Sequence, residues 1–324
     1  MTRRKSKKKV QGEKILDYTS EDKRFGTPEI VANYRAKRLK CNTIVEIGAG
    51  VGFQTLSFAK ECKQVYAIEI DEKKAERLKK NLFIFNIKNV KVINEDALNE
   101  KIIQKLPKID VVFVDTERPA TEKERKIEKI KPNIDKILNK YGKLTKKICI
   151  EVPPQLRKIN LDCEKEYVSI DNELNRLNLY FGNLKKRGTN VILLPEEKRL
   201  KNSNKKISEI NKIKHKYIYE INPAVVRAKL EKEFGEKVYR YKKKVYLVSN
   251  KKIDSDFLTG YEILKISKDL KKDLKELECG KIILKNIEPK KYWKTRNDLE
   301  KDLNGYRICY LFNLDEKIIA EKNY

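Results

Sequence analysis

From residue 43 the chain alternates short β-branched runs with longer amphipathic stretches. T-I-V-E-I is followed by a helical pattern near 53–62, and Q-V-Y-A-I-E-I by another near 72–83. V-K-V-I-N and D-V-V-F-V-D then lead through a charged helical pattern near 121–140 to K-I-C-I-E-V. Strands separated by helical patterns predict βαβ units on a parallel sheet. Ahead of them, R-F-G-T-P-E-I-V-A-N-Y-R-A-K-R-L predicts a helix with Thr27 as N-cap and Pro28 at N1, and with Ile30, Val31, Tyr34 and Leu39 on one face. The pattern changes after Pro153 and Pro154. E-Y-V-S-I and L-N-L-Y-F-G bracket D-N-E-L-N as an antiparallel hairpin, T-N-V-I-L-L-P follows, and antiparallel strands are expected to finish the sheet.

Residues 196–212 are polar and rich in Lys and Asn, which predicts a linker or long loop. Beyond them, Y-I-Y-E-I-N-P-A-V-V-R-A-K-L, K-V-Y-L-V-S-N, G-Y-E-I-L-K-I, K-I-I-L-K-N and R-I-C-Y-L-F-N interleave strands with helix-like stretches, as in a second, smaller α+β unit. The expected division is a basic arm over 1–15, a first domain over 16–196, a linker over 197–212 and a second domain over 213–324. There is no internal repeat.

Charge sharpens this picture. The formal net charge is +28, from 76 Lys and Arg against 48 Asp and Glu. A field of that size attracts polyanions, so RNA or DNA is the expected partner. The competing reading is background: Lys, Ile and Asn abound in chains from AT-rich genomes, and Glu/Lys-rich surfaces suit hot environments. The first nine residues carry six basic side chains and no apolar periodicity, as in an arm that touches phosphate. With 40% hydrophobic residues the chain can fill a core. No run nears the ~18 apolar residues of a membrane span, and M-T-R-R-K-S-K-K-K has no apolar leader core, so a cytoplasmic location is expected. Six scattered cysteines without a C-x-x-C pair, and one histidine, His215, argue against a metal centre or a disulfide framework.

The most informative stretch is T-I-V-E-I-G-A-G-V-G-F-Q-T. A strand that ends in a glycine turn and feeds a helix lets a ligand lie against backbone. Gly48 permits the turn, Gly50 the close approach and Gly52 the helix start. A dinucleotide fingerprint would place its third glycine at position 53, which is Phe53, and an acid, Glu46, stands two residues before the first glycine. This spacing favours a nucleoside with an amino-acid tail over a pyrophosphate. The second strand ends in Glu69, placed to accept two ribose hydroxyls. Asp96 of N-E-D-A-L closes the third strand, where it can accept from an adenine amino group, and Asp115 closes the fourth in V-V-F-V-D-T-E-R-P. Singly, such acids are usually helix caps or loop residues. Four strands ending in acids at one edge of a parallel sheet mark the ligand edge.

With these motifs the sequence resembles the class I S-adenosylmethionine-dependent methyltransferases. V-E-I-G-A-G-V-G looks like their first motif, A-I-E-I-D their second, N-E-D-A-L their third and D-T-E-R-P their fourth, over residues 25–195. Within that superfamily the chain looks most like a prokaryotic group with a THUMP-like C-terminal domain. It shares that group's T-P-E-I-V-A-N-Y-R-A-K-R-L entry helix, Asp-x-x-Arg fourth motif and I-N-P-A-V-V-R-A-K-L opening of the second domain. The resemblance implies an α/β, Rossmann-like, mostly parallel seven-stranded sheet with antiparallel C-terminal strands, plus a smaller α+β C-terminal domain. It implies S-adenosyl-L-methionine as cofactor, held by Thr27, Glu46, Gly48, Gly50, Gly52, Glu69, Asp96, Ala97 and Asp115, and an RNA substrate, tRNA or rRNA. No metal is expected.

Methyl transfer from a sulfonium is an in-line displacement that needs alignment and, where a proton must leave, a base. The candidate catalytic residues are Asp115, as base or orienting group, Glu117, to share a proton, and Arg118, to hold phosphate or base; an Arg118–Glu117 surface pair is the bland alternative. Pyrimidine C5 chemistry needs a cysteine nucleophile. Cys149, the nearest, reads as a small core residue in mid-strand, so that chemistry is disfavoured. D-T-E-R also departs from the N-P-P-Y form that grips an exocyclic amine, which places N6-adenine and N2-guanine methylation in doubt. Asn172 and Glu173 at the hairpin tip reach over the site or are plain turn residues. In the second domain, Y-R-Y-K-K-K-V-Y (239–246) and K-K-Y-W-K-T-R, with Tyr292 and Trp293, alternate aromatic and basic side chains as single-stranded RNA surfaces do. An amphipathic strand with a solvated lysine face gives the same letters. The expected function is methyl transfer to a nitrogen or oxygen of structured RNA. A protein or small-molecule acceptor, or an inactive RNA-binding scaffold, are the alternatives.

Overall fold

The computed structural model describes residues 16–117, 127–156, 158–203, 205–235 and 237–323. The expected basic arm, 1–15, and Arg118 lie outside them. The chain divides into two compact units between Arg199 and Leu200.

The first unit opens with helices α1 (Ser20–Phe25) and α2 (Glu29–Arg38). Strand β1 (Thr43–Ile47), α3 (Thr55–Glu61), β2 (Gln64–Ile68), α4 (Glu72–Ile84), β3 (Val90–Ile93), α5 (Glu100–Lys105), β4 (Val111–Asp115), α6 (Ile134–Tyr141) and β5 (Lys147–Val152) follow as the predicted alternation. The hairpin β6 (Glu164–Ile170) and β7 (Glu173–Gly182), then β8 (Thr189–Leu194) and β9 (Lys198–Lys201), complete the sheet. Its order is β3-β2-β1-β4-β5-β7-β6-β8-β9, parallel from β3 to β5 and antiparallel where β7 joins β5. Among the described residues the sheet therefore has nine strands rather than the expected seven. In the first seven positions of that order β6 would keep a free edge; β8 pairs with it in parallel and β9 lies beyond β8.

Parallel strands buried on both faces read as unbroken apolar runs, which is why V-V-F-V of β4 is wholly buried. Register places Val65, Ile44 and Val111 side by side, and likewise Phe113, Cys149 and Tyr180. These six join Ala36 of α2, Leu39 at its C-cap and Phe58 of α3 in one cluster. Asp71 caps α4 by accepting from Lys74 N at 3.0 Å, and Asn133 caps α6 through Lys136 N at 3.0 Å. Of the helix expected over 121–140, residues 121–126 lie outside the described residues, 127–133 hold a 3₁₀ turn at Ile127–Lys129, and the α-helix runs from Ile134. Pro28, not Thr27, is the N-cap of α2, and no side chain caps that helix.

The second unit contains β10 (Ser208–Ile210), β11 (Tyr217–Ile221), α7 (Pro223–Ala228), β12 (Lys237–Tyr241), β13 (Lys244–Ser249) and β14 (Leu258–Ser267). After these come α8 (Leu270–Glu276), β15 (Cys279–Lys285), α9 (Pro289–Glu300), β16 (Arg307–Asn313) and β17 (Lys317–Lys322). They form an eight-stranded sheet of order β10-β12-β13-β11-β14-β17-β16-β15. Residues 197–212, read as a linker, hold β9 and β10, because short polar strands at sheet edges lack the apolar alternation that identifies a strand. One disulfide, Cys279–Cys309, joins β15 to β16, against the expectation of none. The parallel pairing sets these strands side by side although 30 residues separate the two cysteines, a proximity that sequence spacing does not reveal.

Candidate active site

At the C-terminal ends of β1, β2 and β4 lies a cavity of about 610 Å³. Of the residues expected to bind or react, Thr27, Glu46, Gly48, Gly50, Glu69, Asp96, Ala97, Asp115 and Glu117 all line it. Gly52 does not. A Cβ there would stand 2.6 Å from Leu78 Cδ1, so this glycine serves the packing of α4 beneath the loop. Asn172 and Glu173 are likewise absent from the lining.

Gly48 and Gly50 both take a positive φ in the turn. Gly48, at φ 77°, presses so close to the end of β4 that a Cβ would sit 2.5 Å from the Asp115 carbonyl oxygen. Gly50, at φ 56°, has no atom within 4 Å of where its Cβ would be, so its bareness leaves cavity volume open. Its N–H donates to Glu69 Oε2 at 2.7 Å, and Asp71 N–H donates to Oε1 at 2.9 Å. Each oxygen keeps a lone pair, so Glu69 is held rigid with two acceptor sites ready for a pair of hydroxyls. Asp96, exposed, caps the turn to α5 through Leu98 N at 2.8 Å, while the Ala97 carbonyl accepts from Tyr141 Oη at 2.8 Å.

Glu46 is 1% exposed, and its Oε2 has no hydrogen-bond partner among the described residues. Burial, reinforced by the charges of Asp115 and Glu69, pushes its carboxyl up to about 8 from an ordinary 4.5. The folded state therefore prefers the neutral acid. The stability this preference contributes is complete below pH 4.5 and is lost as pH rises through about 8. Chemical denaturation across that window is expected to show falling stability that Glu46→Gln flattens; an unchanged slope in the variant would assign the effect elsewhere.

Sequence reading missed Glu151, the last acid of the cavity wall. It is buried at the end of β5, with Arg176 Nε 2.7 Å from Oε1 and the Arg35 guanidinium against Oε2. Arg35 is fully buried within α2, donates to Gln54 Oε1 at 2.8 Å and Asn178 Oδ1 at 3.0 Å, and lies 4.6 Å from the Phe113 ring centroid. Thr116 Oγ1 donates to the Glu151 carbonyl at 2.7 Å, tying the turn after β4 to β5. Glu117, at the rim, stands 3.6 Å from Lys74 Nζ. Among the described residues the wall carries nine acidic side chains, Glu46 among them in its neutral form, against two lysines, Lys74 and Lys131, an acidic cavity in a chain of net charge +28. Among the described residues no group of three His, Cys, Asp or Glu side chains could hold a metal ion, and no helix is long and apolar enough to cross a membrane.

A crystal structure from Porphyromonas gingivalis W83, described as a "putative methyltransferase", superposes on this chain with a TM-score of 0.71 at 16% identity, covering 95% of this chain and 84% of the other. The fold is that of the class I S-adenosylmethionine-dependent methyltransferases. More particularly, a family model described as "Ribosomal RNA adenine dimethylase" matches residues 26–157. The "Probable ribosomal RNA small subunit methyltransferase A" of Methanosphaera stadtmanae is 39% identical over 71 residues, 20% of this chain and 26% of its own length. The "Probable cobalt-precorrin-6B C(15)-methyltransferase (decarboxylating)" of Methanocaldococcus jannaschii is 42% identical over 67 residues, 21% of this chain and 36% of its own. The chain thus spans about a quarter to a third of the length of these curated relatives.

Proposed function

We propose that this protein is an S-adenosylmethionine-dependent methyltransferase that modifies a nitrogen or oxygen of structured RNA, tRNA or rRNA, with its second unit binding that RNA. The observation that carries the reading is the anionic, glycine-floored cavity set in a strongly cationic chain. Its acids suit a ligand bearing a sulfonium and an ammonium, while the cationic remainder suits a polyanion. Phosphates are repelled from the cavity, so the acceptor enters as a base or hydroxyl, with its backbone outside.

The residues fit the cofactor. Gly50 leaves room for it, Glu69 offers two acceptor sites for ribose hydroxyls, and Oε2 of Glu46, without a partner among the described residues, supplies an acceptor for an ammonium. When bound, the cofactor supplies an electrophilic methyl group on a sulfonium leaving group. Asp115, at the end of β4 and on the cavity wall, orients the acceptor and takes its proton where one must leave. Glu117 relays that proton toward the rim. Cys149 is fully buried in the sheet, and burial pushes its thiol up to about 12, which weighs against a thiolate nucleophile and C5 chemistry.

The acceptor is read from charge more than from kinship, since relatives named for rRNA and for a cobalt-precorrin match over similar short lengths. The rRNA adenine dimethylase match supports RNA. Asp115-Thr116-Glu117 supplies neither the asparagine nor the aromatic ring that grips an exocyclic amine, so the proposal stays at nitrogen or oxygen. Asp115→Asn is expected to retain cofactor binding in calorimetry and to lower transfer into RNA by about 10²–10⁴-fold. A rate within about threefold of the parent would remove Asp115 from the chemistry.

A further inference from the structure

The two aromatic–basic stretches of the second unit have opposite fates. In the β12–β13 hairpin, Tyr239 pairs with Tyr246 across the strands, and both rings are buried, at 4% and 1% exposure. There the alternation is that of an amphipathic strand, and no stacking surface results. Helix α9 differs. Its Tyr292 and Leu299 pack against the cluster of Leu274, Ile282, Cys309 and Leu311, yet Trp293 is 58% exposed. Burying an indole is among the largest apolar gains available to a chain, so one left facing water on a well-seated helix calls for an occupant.

We infer that α9 is a stacking platform for single-stranded RNA, with a base lying on Trp293 and the flanking phosphates on Lys290 and Lys294; this rests on RNA being the acceptor. Three observations support it. Helix α9 carries four cations against two acids, Asp298 and Glu300, and three of the cations, Lys290, Lys291 and Lys294, fall in its first half. Lys290 and Arg296 stand three positions either side of Trp293, on the adjoining helix surface, and the Arg296 guanidinium lies 5.5 Å from the indole centroid. The platform is also rigid: Arg296 Nε donates to Glu300 at 2.9 Å, and Glu300 Oε1 accepts from Ile282 N of strand β15 at 2.6 Å. A flat, cation-flanked ring stacks any base, whereas a duplex offers its bases already stacked.

Trp293 is the sole tryptophan of the chain, so its emission reports this one place. The full chain is titrated with an end-labelled uridine dodecamer, following RNA anisotropy and tryptophan emission together. Emission should be quenched in step with the anisotropy rise, and Trp293→Ala should weaken binding by about 5- to 150-fold, the loss of one stacked base. Trp293→Phe, which keeps a ring, should recover most of the affinity. An anisotropy rise with unaltered emission, or undiminished binding by Trp293→Ala, would overturn the platform and leave the RNA acceptor standing. Absence of any binding would also overturn it, and methyl transfer into RNA then decides the acceptor separately.

Discussion

Gly50→Asp is expected to lower affinity for S-adenosylmethionine by more than about 100-fold, roughly 2.7 kcal/mol, while leaving the fold intact. The position has φ 56°, so an Asp side chain there costs of order 1–2 kcal/mol in backbone strain, less than a folded unit of this size can bear. The cost to binding is larger because the new side chain projects into the open volume found around the Gly50 Cβ position. The cofactor and the carboxylate would compete for one space. Calorimetry with the purified variant, beside its thermal melt, separates the two effects. A native melt with affinity within about tenfold of the parent would mean that the glycine turn is not where the cofactor lies.

The second large effect concerns a residue that touches no ligand. Arg35→Ala is expected to destabilise the first unit by about 3–5 kcal/mol, because it leaves Glu151 buried with one cation fewer and strips donors from Gln54 and Asn178. Urea denaturation followed by circular dichroism measures it. The same substitution should loosen the cavity wall, since Glu151 lines it and the Glu151 carbonyl anchors Thr116 beside Asp115. A loss below about 1 kcal/mol would show that solvent or other donors replace the guanidinium.

The lining of the candidate cavity was more legible in the sequence than its surroundings, and the reason is physical. Gly48, Gly50, Glu46 and Glu69 could be read because each answers a local demand: a left-handed turn, an open approach, an acid at a strand end. Glu151 could not, because K-I-C-I-E-V gives the same letters for an edge residue as for a wall of the cavity. Arg35 could not either; an arginine in Y-R-A-K-R reads as solvent-facing, and only the distant partners Glu151 and Asn178 make its burial tolerable. The aromatic alternation of 239–246 and 290–296 looked alike on the page, and burial alone separated them. The disulfide, β9 and β10 depend on pairings between strands, which local pattern does not carry.

The most direct measurement is transfer of labelled methyl from S-adenosylmethionine into total RNA from a strain lacking this gene, with Gly50→Asp run in parallel. Incorporation by the parent and none by the variant is the expected result, and digestion of the labelled RNA would then name the nucleoside. Intact cofactor binding with no label in any RNA would contradict RNA methylation and turn attention to a protein or small-molecule acceptor, or to a scaffold without turnover.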